Sequence, residues 1–260
     1  MKQQNSDMEI TLFGCKIHNL NMQETLDKIE QFIVSKRAHQ HVVVNVDKIV
    51  KAHRDEGIRQ IINNCDLVSV DGMPVVWASK LLGQPIKQRV AGIDLFHALV
   101  AHAAKMGWRV YFLGAQQKVV EKVVQSMSAE FPALKVAGYR NGYWSDGEEA
   151  GLVALIKAHR PDIIFVAMSS PKKELFLAKY QAQMQVPFAM GVGGTFDVVA
   201  GIVKRAPRWM QVSGFEWLYR FMQEPRRMFH RYFVEDMYFF VLLAREWAKL
   251  RQLRRAKGLR

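Results

Sequence analysis

Between residues 41 and 190, short apolar runs rich in β-branched residues alternate with stretches of helical period. No other feature limits the fold of this chain as much. His41–Val46, Leu67–Val70, Arg109–Leu113, Lys135–Tyr139, Asp162–Met168 and Val186–Met190 read as strands, several of them apolar at almost every position, as strands buried on both faces are. Between them lie helical segments: one ending near Asn64, one with Pro74 in its first turn running to Leu82, then Leu95–Met106 capped by Asp94, Gln117–Glu130, Asp146–His159, and one from Ser169-Ser170-Pro171 to Gln183. Ahead of them, residues 9–20 read as a short strand or hairpin. A helix from Met22 to Lys36 follows, with Asn21 and Glu24 at capping-box spacing. The alternation predicts an α/β fold, a Rossmann-like, mostly parallel sheet with helices on both faces. Ligands of such sheets bind beyond the carboxyl ends of the strands. The positions to weigh are therefore Asn45, Asp71, Gly114, Ser169 to Lys173 and Gly191 to Gly194.

Charge divides the chain differently. The net charge is +13, but residues 201–260 hold 14 Lys and Arg against 5 Asp and Glu, while the preceding 200 residues hold 23 against 19. A nearly balanced body thus carries a basic tail, as in proteins that meet nucleic acid, an anionic membrane or a phosphorylated ligand. No nucleic-acid motif is present. From Trp209 onward aromatics interleave with arginines, and Phe229, Tyr232, Phe233, Met237, Phe240, Val241, Ala244, Trp247 and Leu250 recur every three or four residues. That pattern predicts a basic amphipathic helix able to lie in a membrane surface. The expected division is an α/β domain over 1–208 and a helical appendage over 209–260. No run reaches the roughly 18–20 apolar residues of a membrane span; Met237–Ala244 has eight. The first residues, MKQQNSDMEITLFG, hold no apolar core of signal-peptide length. Cys15 and Cys65 lack metal-ligand spacing and suit a reducing compartment.

The candidate chemistry sits at the strand ends. Asp71, between the strand LVSV and Gly72, either caps the next helix or acts as a general base, which transfer to a hydroxyl requires. Asn45 fits turn chemistry as readily as a binding role. Asp94 fits a cap, whereas nothing structural demands Arg89 in the loop that also carries Gly92. Lys172 and Lys173, with Pro171 and Glu174, place two cations at a helix N-terminus against the macrodipole, a misfit expected where an anion binds. Gly191, Gly193 and Gly194 allow close backbone approach to a ligand, with Asp197 and the Lys204-Arg205 pair following. Arginine forks in the tail suit phosphate oxygens. Gly114 in FLGAQQ lacks the three-glycine dinucleotide spacing, and no Walker lysine, DxD pair or Cys/His cluster appears. A soluble NAD- or nucleotide-sugar-dependent dehydrogenase or epimerase is the alternative reading, and a non-catalytic membrane-surface or nucleic-acid binding module a third.

The ordered series Asp71-Gly72, Arg89-Val90-Ala91-Gly92-Ile93-Asp94, Pro171-Lys172-x-Glu174, Gly191-Val192-Gly193-Gly194-Thr195-Phe196-Asp197, Ala200-Gly201, Arg205-Ala206-Pro207 and Glu216-Trp217-Leu218-Tyr219-Arg220 resembles the WecG/TagA/CpsF glycosyltransferases over about residues 10–235. The resemblance implies an inverting transfer from a UDP-sugar to a polyprenyl-diphosphate-linked sugar, in the making of bacterial cell-envelope polysaccharide or exopolysaccharide. It implies no cofactor and no metal. It also implies a peripheral position on the cytoplasmic membrane face, and it makes self-association an expectation. Asp71 matches the family's proposed base, Asn45 its pocket asparagine, and Arg220, Arg227 and Arg231 the appendage arginines that close over the nucleotide. Two positions depart from the pattern. Val43 stands where one branch has threonine, and Lys173 where glutamine is usual, which suggests that Lys173 favours an acidic donor or contacts a phosphate.

Overall fold

The computed structural model describes residues 8–145 and 147–256. The side chain of Arg227 lies outside the described set, as does Asp146, where a helix start is predicted. Among the described residues, eight strands form two sheets. β1 (Glu9–Leu12) and β2 (Cys15–His18) pair antiparallel, the hairpin of the two expected alternatives. β3 (His39–Val44), β4 (Leu67–Val70), β5 (Arg109–Gly114), β6 (Lys135–Arg140), β7 (Ile163–Ala167) and β8 (Phe188–Gly191) form one sheet in the order β4-β3-β8-β7-β5-β6. Every pairing in that sheet is parallel, so all six strands end at the same edge.

The helices are α1 (Met22–Ser35), α2 (Val46–Arg54), α3 (Glu56–Asn64), α4 (Met73–Leu81), α5 (Gly92–Met106), α6 (Gln117–Glu130), α7 (Glu149–His159), α8 (Lys172–Met184), α9 (Thr195–Val199), α10 (Arg208–Ser213), α11 (Glu216–Gln223), α12 (Pro225–His230) and α13 (Tyr238–Ala256). The capping box of α1 is formed: the Glu24 N–H donates to Asn21 Oδ1 at 2.9 Å and the Asn21 N–H to Glu24 Oε2 at 2.8 Å. Side chains alternate across the sheet. Val110, Phe112 and Phe165 point to a core shared with α1, α5 and α6. Tyr111, Leu113, Ile164 and Val166 point to one shared with α7 and α8. On that second side, Val42, Val44, Val68 and Val70 meet the hairpin and helices α2 to α4.

Three boundaries differ from the sequence reading, the first of them through a cap. The single helix expected up to Asn64 is two, because Asp55 leaves the helical region and its carboxylate accepts the Ile58 N–H to start α3. α5 begins at Gly92, so Asp94 lies inside the first turn and is not its cap. α7 begins at Glu149. The tail is also subdivided. A π-helical turn over Arg231–Glu235 separates α12 from α13, and α13 does not stand free of the body. Its Phe239 and Leu242 are buried in the core built on β3, β4, α2 and α4, with the Phe239 ring tilted against that of Phe13 at 5.1 Å. Tyr238 packs on His53 and under Arg54.

Neighbouring residues of α13 therefore have opposite environments: Phe239 is 0% exposed and Phe240 is 53% exposed. Phe239→Ala is expected to lower stability by about 3 kcal/mol, as loss of a fully buried phenyl ring does. Phe240→Ala is expected to change it by less than about 0.5 kcal/mol. Urea unfolding of the two variants beside the parent measures the difference.

Candidate active site

The carboxyl edge of the sheet opens into a cleft of about 1190 Å³. Its floor comes from the residues after β3, β4, β5, β7 and β8, and its outer wall from α11 and the segment 231–240. Of the candidates named from sequence, Asn45, Asp71, Arg89, Gly92, Lys172, Lys173, Gly191, Gly193, Gly194, Asp197, Arg205, Arg220 and Arg231 line it. Asp94, Pro171 and Glu174 do not form its wall.

Asp71 follows β4 directly. Its own N–H is tied to the carbonyl of Val44, and the neighbouring Val70 carbonyl accepts the Val90 N–H, which draws the loop carrying Arg89 over the strand end. Gly72 takes φ +97°, so the chain can turn into α4 while the Asp71 carboxylate stays in the cleft. The Gly92 N–H donates to Asp71 Oδ2 at 3.4 Å, and Arg89 Nη1 lies 3.8 Å from Asp71 Oδ1. Burial raises the pKa of Asp71. Arg89 opposes that rise, Glu216 reinforces it, and the N–H groups of Gly92 and Gly72 oppose it weakly. A carboxylate with a raised pKa accepts a proton more strongly than an ordinary one.

A second arginine and two further carboxylates continue this group. Arg205 grips Asp94 with both Nη atoms, at 2.6 and 2.9 Å, so Asp94 is an arginine clamp residue. Arg205 Nε is 3.7 Å from Glu216, and Arg89 Nη1 is 3.1 Å from the same carboxylate. Glu216 carried no role in the sequence reading. The Glu216-Trp217 pair is visible there, but its partners are 127 and 11 positions away along the chain, where spacing carries no information.

Asn45 is the N-cap of α2, its Oδ1 accepting the Lys48 N–H at 3.0 Å. The oxygen caps the helix, and the residue also lines the cleft. The lysine pair at the start of α8 is a different matter. It is not a solvated first turn. Lys173 and Glu174 are buried, and Glu174 Oε1 lies 2.8 Å from Lys48 Nζ and 3.1 Å from Lys173 Nζ. Lys48 also donates to the carbonyl of Val43 at 2.8 Å. An anion does balance the misplaced cations, and it is a carboxylate of the chain itself. Burial lowers Lys173 to about 8, with Lys48 adding to the effect and Glu174 opposing it. Burial would raise Glu174, but the two ammonium groups outweigh it and hold the carboxyl at about 2. Lys172 instead lies 5.1 Å over the Trp144 ring. Lys48 escaped the sequence reading because a lysine within a helix looks like any solvated one.

The glycine turn has a reason beyond ligand access. A Cβ at Gly191 would stand 3.0 Å from Lys173 Cδ, and one at Gly194 would stand 3.1 Å from an Nη of Arg220. Gly193 takes φ +53° and turns the chain into α9. Gly114, at φ +125°, is pressed onto the Ala167 backbone, where a Cβ would lie 2.3 Å from the carbonyl oxygen. Close strand packing thus accounts for the glycine that superficially suggested a dinucleotide turn. Arg220 lies 3.9 Å from Glu224, and Arg231 lies 3.9 Å from both Asp47 and Asp236. Burial pushes Asp236 up to about 6, against the pull of Arg231 and with help from Asp47. Among the described residues no group of three or more His, Cys, Asp or Glu could hold a metal ion, and no helix is long and apolar enough to cross a membrane.

The profile of the glycosyl transferase WecG/TagA/CpsF family matches residues 10–253. Two curated relatives are N-acetylglucosaminyldiphosphoundecaprenol N-acetyl-beta-D-mannosaminyltransferases. That of Bacillus spizizenii is 36% identical over 186 residues, 72% of each chain. That of Bacillus subtilis is 34% identical over 219 residues, 84% of each chain.

Removing Glu174 leaves two buried ammonium groups sharing no carboxylate, so Glu174→Gln is expected to cost about 3 kcal/mol at neutral pH. The carboxyl sits lower folded than unfolded, so its contribution is complete above the unfolded value of 4.5 and is lost as pH falls toward about 2. The gap between parent and variant in denaturant titrations should therefore close across that window.

Proposed function

The chain belongs to the WecG/TagA/CpsF glycosyltransferase family, and from that premise we propose that it moves a hexose from a UDP-sugar to a polyprenyl-diphosphate-linked saccharide, with inversion, in bacterial cell-envelope polysaccharide or exopolysaccharide synthesis. One observation carries the reading: a single cleft holds a carboxylate of raised pKa, Asp71, and the arginines Arg205, Arg220 and Arg231. The acceptor hydroxyl attacks the anomeric carbon, the bond from that carbon to the diphosphate oxygen breaks, and UDP leaves with the electron pair. Asp71 takes the hydroxyl proton. Arg220 and Arg231, with Arg227 as a further candidate whose side chain lies outside the described residues, receive the charge growing on the diphosphate. Arg89, Gly92 and Asn45 surround the sugar, and the glycine turn with Asp197 borders the nucleotide.

N-acetylmannosamine is the first donor to test, because it is the sugar in the names of both relatives, whose acceptor is an undecaprenyl-linked N-acetylglucosamine; its uronic acid is the second. Lys173, in the cleft beside a glutamate shared with Lys48, supports a donor or phosphate with negative charge nearby. The acceptor's lipid implies a peripheral protein on the cytoplasmic face of the membrane. Exposed Trp209, Phe215, Phe229, Phe233 and Phe240, with the basic tail, support that contact. Self-association through the same apolar face is the rival use of it. The division at about residue 208 belongs to this reading too, with the appendage as lid and membrane contact.

Asp71→Asn is expected to reduce transfer of radiolabelled sugar by about a thousandfold while UDP still binds in calorimetry. Retained turnover would remove Asp71 as the base. Full-length protein is expected to float with anionic liposomes, and a Trp209→Ala, Phe233→Ala, Phe240→Ala variant to stay in solution. Truncating the tail is a poor substitute, since it also removes buried Phe239. Equal flotation would refute the membrane contact, and a lower oligomeric state in the variant would assign the face to self-association.

A further inference from the structure

Glu216 is the first residue of α11, and both of its carboxylate oxygens face arginines from other parts of the chain. Oε2 lies 3.1 Å from Arg89 Nη1 and Oε1 lies 3.7 Å from Arg205 Nε. A carboxylate in the first turn of any helix gains from the dipole, but the dipole does not explain two guanidinium partners. Arg205 is already committed to Asp94 through both Nη atoms. Arg89 is not committed in this way. The same Nη1 that meets Glu216 lies 3.8 Å from Asp71 Oδ1, so one guanidinium nitrogen stands between two carboxylates, nearer the one on α11.

We propose that Glu216 is a positioning residue that holds Arg89 off Asp71, leaving the Asp71 oxygens open to an acceptor hydroxyl only while α11 is docked over the cleft. The inference rests on the reading of Asp71 as the base. With α11 docked, Arg89 has a nearer anion and Asp71 keeps its basicity. With α11 withdrawn, Asp71 is the remaining carboxylate beside Arg89, and a close ion pair occupies the oxygens and weakens the base. A donor bound in an open cleft then faces a silenced base, which guards it against attack by water.

The groups facing Asp71 are Arg89 from the loop before α5, Glu216 from α11, and Arg205, itself held by Asp94 of α5. Removing the charge of Glu216 removes an influence that raises Asp71 and releases Arg89, which lowers it. Both changes act in one direction, so protonated, inactive Asp71 appears only at lower pH. For Glu216→Gln the acid limb of kcat/KM is expected to move down by about one pH unit. The plateau of kcat is expected to fall about tenfold, with the donor KM changed much less. Glu216→Asp, which keeps the charge, is expected to restore the limb most of the way. In an Arg89→Gln background, which itself raises the limb, Glu216→Gln is expected to lower it by clearly less than in the parent, since only its direct influence on Asp71 remains. If Glu216→Gln is too slow to assay, a carbon-13 NMR titration of the Asp71 carboxyl reads the same midpoint without turnover. An acid limb or carboxyl midpoint that stays in place or rises overturns the proposal, as does an equal shift in the Arg89→Gln background. If Asp71→Asn retains transfer, the base reading fails first. If Asp71→Asn is inactive and Glu216→Gln leaves Asp71 titrating as in the parent, only the role of Glu216 falls.

Discussion

All six strands of the main sheet point the same way, and most of what is functional here depends on that. A parallel sheet has two unlike edges, and the residue following each strand emerges at one of them. Asn45, Asp71, Ala115, Met168 and Val192 are far apart in the chain, yet each stands one or two positions past a strand and all border one cleft. An antiparallel sheet of the same strands would have sent half of them to the opposite side. The strands can be parallel because they are apolar on both faces and helices cover both, with the hairpin and α13 completing one cover.

Within the cleft, cations are matched by the chain's own carboxylates at two grades of closeness. Arg205 is bound to Asp94 at hydrogen-bond distance through two nitrogens, and that pair reads as scaffold. Arg220 and Arg231 meet their carboxylates only at 3.9 Å. Pairs at that separation, partly open to water, are worth little. Such arginines are oriented by the chain's own carboxylates without being held tightly by them.

The fold was legible from sequence because its signals are local. Strands buried on both faces show as unbroken apolar runs, and the capping box of α1 lies within four residues. The misplaced boundaries, at Asp55 and at the start of α5, arise where the chain pattern alone does not tell a cap from a turn of helix. The site was half legible. Asp71 and the glycine turn stand out by their position after strands. Glu216 and Lys48 do not, since their meaning comes from partners brought close only by folding: Glu216 meets Arg89 at 127 positions' separation and Lys48 meets Glu174 across the sheet edge. The tail showed the opposite failing. A helix was correctly read there, but the residues that α13 buries in the protein's core, Phe239 and Leu242, lie off the predicted apolar stripe, whose Met237, Phe240 and Val241 are exposed.

The glycines at 191 and 194 are shaped by side chains other than their own. One leaves room for the stem of Lys173, the other for the guanidinium of Arg220. Their small size is thus a property of pairs of positions, 191 with 173 and 194 with 220. A relative with a shorter residue at 173 has room for alanine at 191, and one that keeps both the lysine and an alanine must shift the lysine stem by a few tenths of an ångström. Inherited change at these sites should come as linked substitutions. A scan that alters one member at a time would misjudge both, scoring the glycines as backbone hinges and the cations as independent charges.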